Sequence, residues 1–237
     1  MQHNRKTQHL TIAYNYMTRK LYLIAVFFIV TMNAFSQLPY NLKQSVLDKI
    51  YKGEIIIMKE KIANAPWPNV IVYSLVNATS LESVAVFSAY EEHKDYIPDL
   101  LVSKIVKVIS KTDVHIAFKL NIPWPLSNSN YIMGNKLSKK KNGAYQVKWY
   151  FVKSDSSKDN YGKIVLTPYK DKTIMKYENF TYPKSSLAKL FKTKMIKKVK
   201  ETVIAIKKKI EDIKGSNNNT IKFYITALKL KLDNQLK

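Results

Sequence analysis

Residues 185–215 read SSLAKLFKTKMIKKVKETVIAIKKKIEDIKG, and this stretch decides the fold. Ser185 or Ser186 is suited to cap the start of a helix, and Gly215 is suited to end it. Apolar residues recur at steps of three or four, which places them on one helical face; they are Leu187, Phe191, Met195, Val199, Val203, Ile206, Ile210 and Ile213. A helix with one apolar face must bury that face against another layer of the protein.

The residues before this helix predict the second layer. A helix capped by Thr79-Ser80 is predicted to continue to Tyr90 or Glu91 and to stop before Pro98. A polar loop is predicted at 155–161. Alternating or β-branched runs predict strands at 54–62, 70–76, 103–110, 113–121, 131–137, 145–152, 161–167 and 173–180. Short turns join most of these runs, and Asn142-Gly143 is a strong hairpin signal. Because consecutive strands with short turns pair antiparallel, the class is α+β with an antiparallel sheet.

Residues 215–237 follow the long helix as a linker and a tail. Gly215–Asn219 has the composition of a linker. In the tail, 228–232 alternates leucine with lysine as a strand does, and the same residues also fit a short helix. Both interpretations stay open.

The first 36 residues predict a signal peptide. Arg19-Lys20 precede a short apolar run at 21–30, and Ala34 and Ser36 lie three and one residues before a cut at Gln37. The run is short for a spanning helix, although an uncleaved anchor is the alternative. Met17 is a candidate for the true start. We therefore expect an exported, periplasmic or secreted protein whose domain spans 37–214.

Composition restricts the chemistry of the chain. There are no cysteines, which excludes disulfides and thiolate metal sites. The net charge is +23, and only four of these charges lie before Gln37. Outside the cytoplasm such a charge favours an anionic membrane surface over nucleic acid. A lysine-rich surface that binds nothing and is merely solvated explains the charge equally well.

The order of elements is two strands, a helix, further strands and one long helix. Within it, Pro123–Tyr131 begins with a Pro-x-Pro turn and leads into a strand, and Tyr96-Ile97-Pro98 follows the first helix. These features resemble the START and polyketide-cyclase (SRPBCC) superfamily over roughly Gly53 to Ile213. Ser129-Asn130 replaces the Arg-Asp pair of that family. The resemblance implies a helix-grip fold, in which a curved antiparallel sheet grips the C-terminal helix around an apolar cavity for a lipid, sterol or polyketide.

Strand and helix faces that would meet across this cavity supply the candidate ligand contacts. They are Trp149, Phe151, Met175, Tyr177, Asn179, Phe191, Met195 and Val199. Tyr177 and Asn179 are the polar members and the candidates for contact with a ligand headgroup. The alternative is that all eight are ordinary core residues.

The sequence predicts no catalytic residue, no metal site and no cofactor. After the signal peptide the histidines are His93 and His115, and neither has the spacing of a nucleophile–base pair. The expected function is that of an exported protein that binds a lipid or another hydrophobic small molecule, with the role of a carrier as one form of this function. Two alternatives are a cyclase- or hydrolase-type enzyme on this fold, with Tyr177 as a candidate, and a basic structural protein with a filled core.

Overall fold

The computed structural model describes residues 42–122 and 128–232. The predicted signal peptide, residues 1–36, and the Pro-x-Pro turn at 123–125 lie outside these ranges. Within them, no helix is both long enough and apolar enough to cross a bilayer.

Eight strands form one antiparallel sheet in the order β1-β2-β8-β7-β6-β5-β4-β3. Strands that are consecutive in the chain are adjacent in the sheet, with the exception of β2 and β3. Strand β2 pairs with β8 instead, which brings the early and late strands of the domain together. The strands are β1 Ile56–Glu60, β2 Asn69–Val76, β3 Leu100–Ser110, β4 Asp113–Leu120, β5 Ser129–Lys139, β6 Tyr145–Ser154, β7 Ser157–Tyr169 and β8 Lys172–Pro183.

Among the residues that the structure describes, five α-helices and two short 3₁₀ turns accompany the sheet. The helices are α1 Gln44–Tyr51, α2 Ser80–Phe87, α3 His93–Tyr96, α4 Lys192–Gly215 and α5 Asn218–Leu232, and the 3₁₀ turns are Tyr90–Glu92 and Ser186–Phe191. The start of α2 is fixed by a capping box. Thr79 accepts a hydrogen bond from the backbone of Glu82, whose carboxylate accepts one from the Thr79 backbone in return.

The long helix α4 packs its apolar face on the sheet. Val199, Val203, Ile206 and Ile210 are buried there, and the helix lies against β2 and α2. Each fully buried aliphatic side chain of this kind contributes about 1.5–3 kcal/mol of transfer free energy. The fold is therefore the predicted α+β class, a curved antiparallel sheet that grips a long C-terminal helix.

Two local predictions were wrong. Residues 155–161 were expected to form a loop, but β7 begins at Ser157, because its first residues pair with the end of β8. Leu187 was expected on the buried stripe, but it is 50% exposed. The first turn of the long helix is 3₁₀, with three residues per turn, so the spacing of an α-helix does not extend back to Leu187.

The segment after the linker is a helix, α5, rather than a strand. It buries Ile221, Tyr224, Leu228 and Leu232 and packs mainly on α2. The Tyr224 hydroxyl donates to the Glu92 carboxylate, with oxygen–oxygen distances of 2.9 and 2.7 Å. Glu92 also pairs with Lys209 of α4 at 3.0 Å, so polar contacts join α5, α4 and the 3₁₀ turn.

Candidate ligand-binding cavity

A cavity of about 790 Å³ lies between the sheet and α4. On the sheet side the lining extends from Leu100, the first residue of β3, to β8. On the other side it consists of the turn Ser186–Phe191 and α4 as far as Ile206. Most of its wall is apolar, including Phe87, Leu100, Phe118, Met133, Trp149, Phe191, Met195, Val199 and Ile206. Its size and lining are typical of sites for hydrophobic small molecules.

Strand alternation places a set of β5 side chains on the cavity wall. Tyr131, Met133 and Asn135 are spaced by two residues, so they share the inward face of β5. Tyr131 is the register partner of Phe118 on β4, and their rings stack with centroids 5.2 Å apart. This pair forms one aromatic part of the wall.

A second part of the wall is one row across four strands. Paired residues on adjacent strands form this row. In order they are Asn135 on β5, Trp149 on β6, Gly162 on β7 and Asn179 on β8. The Trp149 ring lies over Gly162, where a Cβ atom would be only 2.6 Å from Trp149 Cζ2. The same ring lies 5.0 Å from the ring of Tyr177.

Six of the eight predicted contact residues line the cavity; they are Trp149, Tyr177, Asn179, Phe191, Met195 and Val199. Met175 and Phe151 do not. Met175 is fully buried in the core, paired with Leu166. Phe151 lies where the β5–β6 register shifts and after the β6–β7 pairing has ended, so strand alternation no longer sets its direction.

Four buried polar residues of the lining were missed; besides Asn135 and His93 they are Ser129 and Ser157, which are 5% and 4% exposed. Asn135 is 6% exposed and His93 is 5% exposed. Asn135 had a signal in the sequence, because it interrupts an otherwise apolar face between Met133 and Leu137. His93 had none, because it lies among charged residues at 91–95 and is buried only through the packing of α3.

The geometry of His93 fixes its tautomer. Nε2 lies 2.8 Å from the carbonyl oxygen of Phe87, which can only accept, so Nε2 carries the proton. Burial among the rings of Phe87, Tyr90 and Tyr96 lowers the pKa of His93 to about 4, only partly offset by the Phe87 carbonyl and the charge of Glu92. The imidazole is therefore neutral at pH 7, and Nδ1 is a hydrogen-bond acceptor.

The tyrosines of the cavity are also neutral. Burial raises the pKa of Tyr131 and of Tyr177 above the ordinary value of 10, and the neighbouring Tyr131 phenol raises the pKa of Tyr177 further. Both side chains remain half-buried rather than fully enclosed, because they face the cavity. They can donate and accept hydrogen bonds but do not supply a charge.

The rim of the cavity is exposed, and Asp155, Lys184 and Lys194 lie there with Asn121 and Asn128. Asn130 binds Asp155 there, with its backbone N–H 3.0 Å and its Nδ2 2.9 Å from the carboxylate. The Asp155 carboxylate therefore accepts charge-assisted hydrogen bonds at Asn130, which belongs to the Ser129-Asn130 pair that replaces the Arg-Asp pair in the resemblance described above. Asp99, also on the lining, pairs with Lys198 at 2.5 Å. In the part of the chain that the structure describes, no group of acidic or histidine side chains could hold a metal.

No family model matches the sequence, and no curated protein matches it by sequence. Solved structures with the same fold do match. A STAR-related lipid transfer protein from Xanthomonas axonopodis is 18% identical, with a TM-score of 0.60 over 66% of this chain and 93% of that one. Human StAR-related lipid transfer protein 5 is 12% identical, with a TM-score of 0.55 over 71% of this chain and 94% of that one.

A third match, human STARD10, is 13% identical, with a TM-score of 0.51 over 72% of this chain and 80% of that one. These similarities establish the fold. The chain has the START-like, SRPBCC helix-grip fold that the sequence predicted, and its cavity occupies the space between sheet and helix.

Proposed function

We propose that this protein is an exported carrier that holds a lipid or another hydrophobic small molecule between the sheet and α4. The observation that carries the proposal is the cavity itself, about 790 Å³ with a largely apolar wall. A structural protein would instead fill this space with side chains, as protein interiors usually are. The fold neighbours named as lipid transfer proteins support the same ligand class.

Acid–base catalysis has less support than binding. His93 is neutral and uses one ring nitrogen to hold the Phe87 carbonyl. Tyr131 and Tyr177 stay protonated, and the lining carboxylates Asp99 and Asp155 lie half-buried or exposed towards the rim. These groups can orient a ligand by hydrogen bonding, which is what a binding protein requires.

Membrane contact would occur at one place beside the cavity, the mouth turn Ser186–Phe191. Ala188 and Phe191 of this turn line the cavity, whereas Leu187 and Leu190 are 50% and 79% exposed. Exposed lysines surround the two leucines; they are Lys184, Lys189, Lys192 and Lys194. Each lysine near an anionic bilayer contributes about 1 kcal/mol, and the leucines can enter the acyl region.

Export is supported by the order Arg19-Lys20, apolar run, Ala34 and Ser36. Export is tested by expressing the full chain in a bacterial host and measuring the intact mass of the protein in the envelope, the medium and the cytoplasm. A chain that begins at Gln37 supports export, and a chain that keeps residues 17–36 in the cytoplasm contradicts it.

Binding in the cavity is tested with Nile red, a neutral hydrophobic dye, on the protein from Gln37 onward. Val199 is buried on the cavity side of α4, so Val199→Trp should fill the cavity and abolish dye binding. Ile204 lies on the outer side of the same helix and is 41% exposed, so Ile204→Trp is the matched control and should bind as the wild type does. Equal binding by the two variants would contradict a ligand site in the cavity.

A further inference from the structure

Strand β3 carries a ridge of exposed apolar side chains. It lies at one end of the sheet, where among the described strands it pairs with β4 alone. Of the β3 residues only Leu100 lines the cavity, so the ridge is separate from the site described above. Exposed apolar groups of this kind indicate a contact surface. Five of the twelve exposed large apolar side chains among the described residues form this β3 ridge; they are Leu101, Val102, Val106, Val108 and Ile109.

Lysines accompany the β3 ridge, and no acidic residue does. Residues 100–111 include Lys104, Lys107 and Lys111 but neither aspartate nor glutamate. All three lysines are exposed. The outer face of the sheet continues this pattern in a row of paired residues across four strands, with lysine at both ends and apolar side chains between; in order they are Lys104, Ala117, Ile132 and Lys153. The surface therefore suits an anionic partner.

Bulges make another β-strand a poor partner for this edge. The β3–β4 register shifts three times, and the residues that the shifts pass over are Leu101, Val106 and Ile109 of the β3 ridge. The Glu91 carboxylate also accepts a hydrogen bond from the backbone N–H of Ile105, with a nitrogen–oxygen distance of 3.3 Å. Bulges and lysines are features by which natural sheets prevent edge pairing. Neither a foreign strand nor β3 of a second copy of this chain therefore fits the edge well.

The composition of the β3 ridge also differs from that of a protein–protein interface. Such interfaces are usually anchored by tryptophan, tyrosine or arginine and are depleted in lysine, whereas residues 100–111 contain none of these anchors. Aliphatic side chains among lysines instead suit the surface of an anionic bilayer, where the aliphatic groups enter the acyl boundary and the lysines contact lipid phosphates. The mouth turn has the same combination, since Leu187 and Leu190 lie among exposed lysines.

We propose that the β3 ridge is a second membrane-binding surface, which inserts Val106, Val108 and Ile109 into the interface of an anionic bilayer. The bulges favour this contact, because each adds an apolar side chain at an edge that is open in the described part of the chain. The inference goes beyond the proposed function, since it assigns membrane contact to a surface outside the cavity and does not depend on the ligand.

Single cysteines can report on each surface separately, because the chain has no cysteine of its own. Val108→Cys, Leu190→Cys and Leu230→Cys are each labelled with nitrobenzoxadiazole, a fluorophore whose emission rises and shifts to shorter wavelength in an apolar medium. Val108 and Leu230 are both 66% exposed, so Leu230 on α5 is the matched control. Phosphatidylglycerol vesicles should shift the emission at Val108 but not at Leu230, and phosphatidylcholine vesicles should shift neither. Unchanged emission at Val108 would overturn the inference.

The label at Leu190 distinguishes this inference from the membrane contact proposed for the mouth turn. A response at Leu190 alone would leave the mouth turn as the membrane contact and overturn the second surface. A response at Val108 alone would support the β3 ridge and contradict the mouth turn. A shift at Val108 that occurs without vesicles and grows with protein concentration would assign the β3 ridge to a second copy of the chain, which also overturns the inference.

The lysines beside the β3 ridge provide a second test, which leaves the apolar side chains in place. Lys104→Gln combined with Lys107→Gln should weaken co-sedimentation with phosphatidylglycerol vesicles about tenfold, because two contacts with lipid phosphates are lost. Lys222→Gln combined with Lys229→Gln removes the same charge from exposed positions on α5 and should bind as the wild type does. Equal weakening by the two double variants would show that net charge alone governs binding, and would contradict the assigned surface.

Discussion

The indole ring of Trp149 lies over Gly162 on the neighbouring strand and occupies the space of a missing side chain. A Cβ atom at Gly162 would be 2.6 Å from Trp149 Cζ2 and 2.1 Å from the Glu178 carbonyl oxygen. Trp149 also contacts Tyr177, with ring centroids 5.0 Å apart, and both residues line the cavity. The shape of this wall therefore depends on a glycine that is not itself part of the cavity lining.

Gly162→Ala should displace the Trp149 ring and change the cavity. We expect a loss of about 2 kcal/mol of unfolding free energy, typical of overpacking, and weaker Nile red binding. Gly134→Ala is the control, because a Cβ there would meet the Tyr150 ring on the other face of the sheet. That variant should also be less stable but should bind the dye as before. Weakened binding in both variants would contradict a specific effect at Trp149.

Buried, neutral His93 should make the protein sensitive to mild acid. The pKa of His93 is lowered to about 4 in the folded state, whereas an exposed histidine has a pKa of about 6.5. Above pH 6.5 both states are neutral. Between pH 6.5 and 4 the unfolded state binds a proton that the folded state does not, so the unfolding free energy falls as the pH falls, by about 3 kcal/mol in total.

The measurement is urea unfolding between pH 7 and pH 4.5 for the wild type and for His93→Gln. Glu92, Tyr90 and Tyr96 surround His93 in both proteins, so the difference between the two profiles isolates the histidine. The glutamine variant should have the flatter profile. If the unfolding free energies of the two proteins changed with pH in parallel, the pKa of His93 would not be lowered in the folded state.

Helix α5 should contribute to stability, although the sequence assigned it to a tail. Leu228 is fully buried against the core, so Leu228→Ala should cost about 3 kcal/mol of unfolding free energy. Leu230, two residues later, is 66% exposed, and Leu230→Ala should change it by less than about 0.5 kcal/mol. Thermal or urea unfolding measures both. Equal, small effects would mean that α5 is not part of the folded domain in solution.

The mouth turn should bind anionic membranes through its exposed leucines. Leu190→Asp should weaken co-sedimentation with phosphatidylglycerol vesicles about tenfold, since it replaces an inserting side chain with a like-charged one. Phe223→Asp is the control, because Phe223 is similarly exposed but lies on α5. Both variants should bind neutral phosphatidylcholine vesicles weakly, and raised salt should weaken wild-type binding. If the two variants lost vesicle binding equally, the added negative charge rather than the loss of Leu190 would explain the effect.

The sequence predicted those parts of the structure that depend on periodicity. The apolar stripe of α4 and the alternation of β6 and β8 placed Trp149, Tyr177 and Val199 on the correct faces, because side-chain direction repeats regularly in helices and strands. The predicted position of Phe151 was wrong because the pairing of β6 is irregular there. The predicted burial of Leu187 was wrong because the α-helix is preceded there by a 3₁₀ turn. His93 could not be found, because its burial results from contacts between residues of α2, α3 and β3 rather than from any local pattern.

The central claim is that the cavity holds a hydrophobic molecule. Native mass spectrometry of the wild-type protein, expressed with its leader and purified without detergent, tests it most directly when the bound fraction is then extracted with organic solvent. We expect an adduct of one defined mass that is absent from Val199→Trp, and an extract that contains a lipid or another hydrophobic small molecule of that mass. An unliganded mass for the wild type, before and after incubation with membrane lipid extract, would contradict the claim.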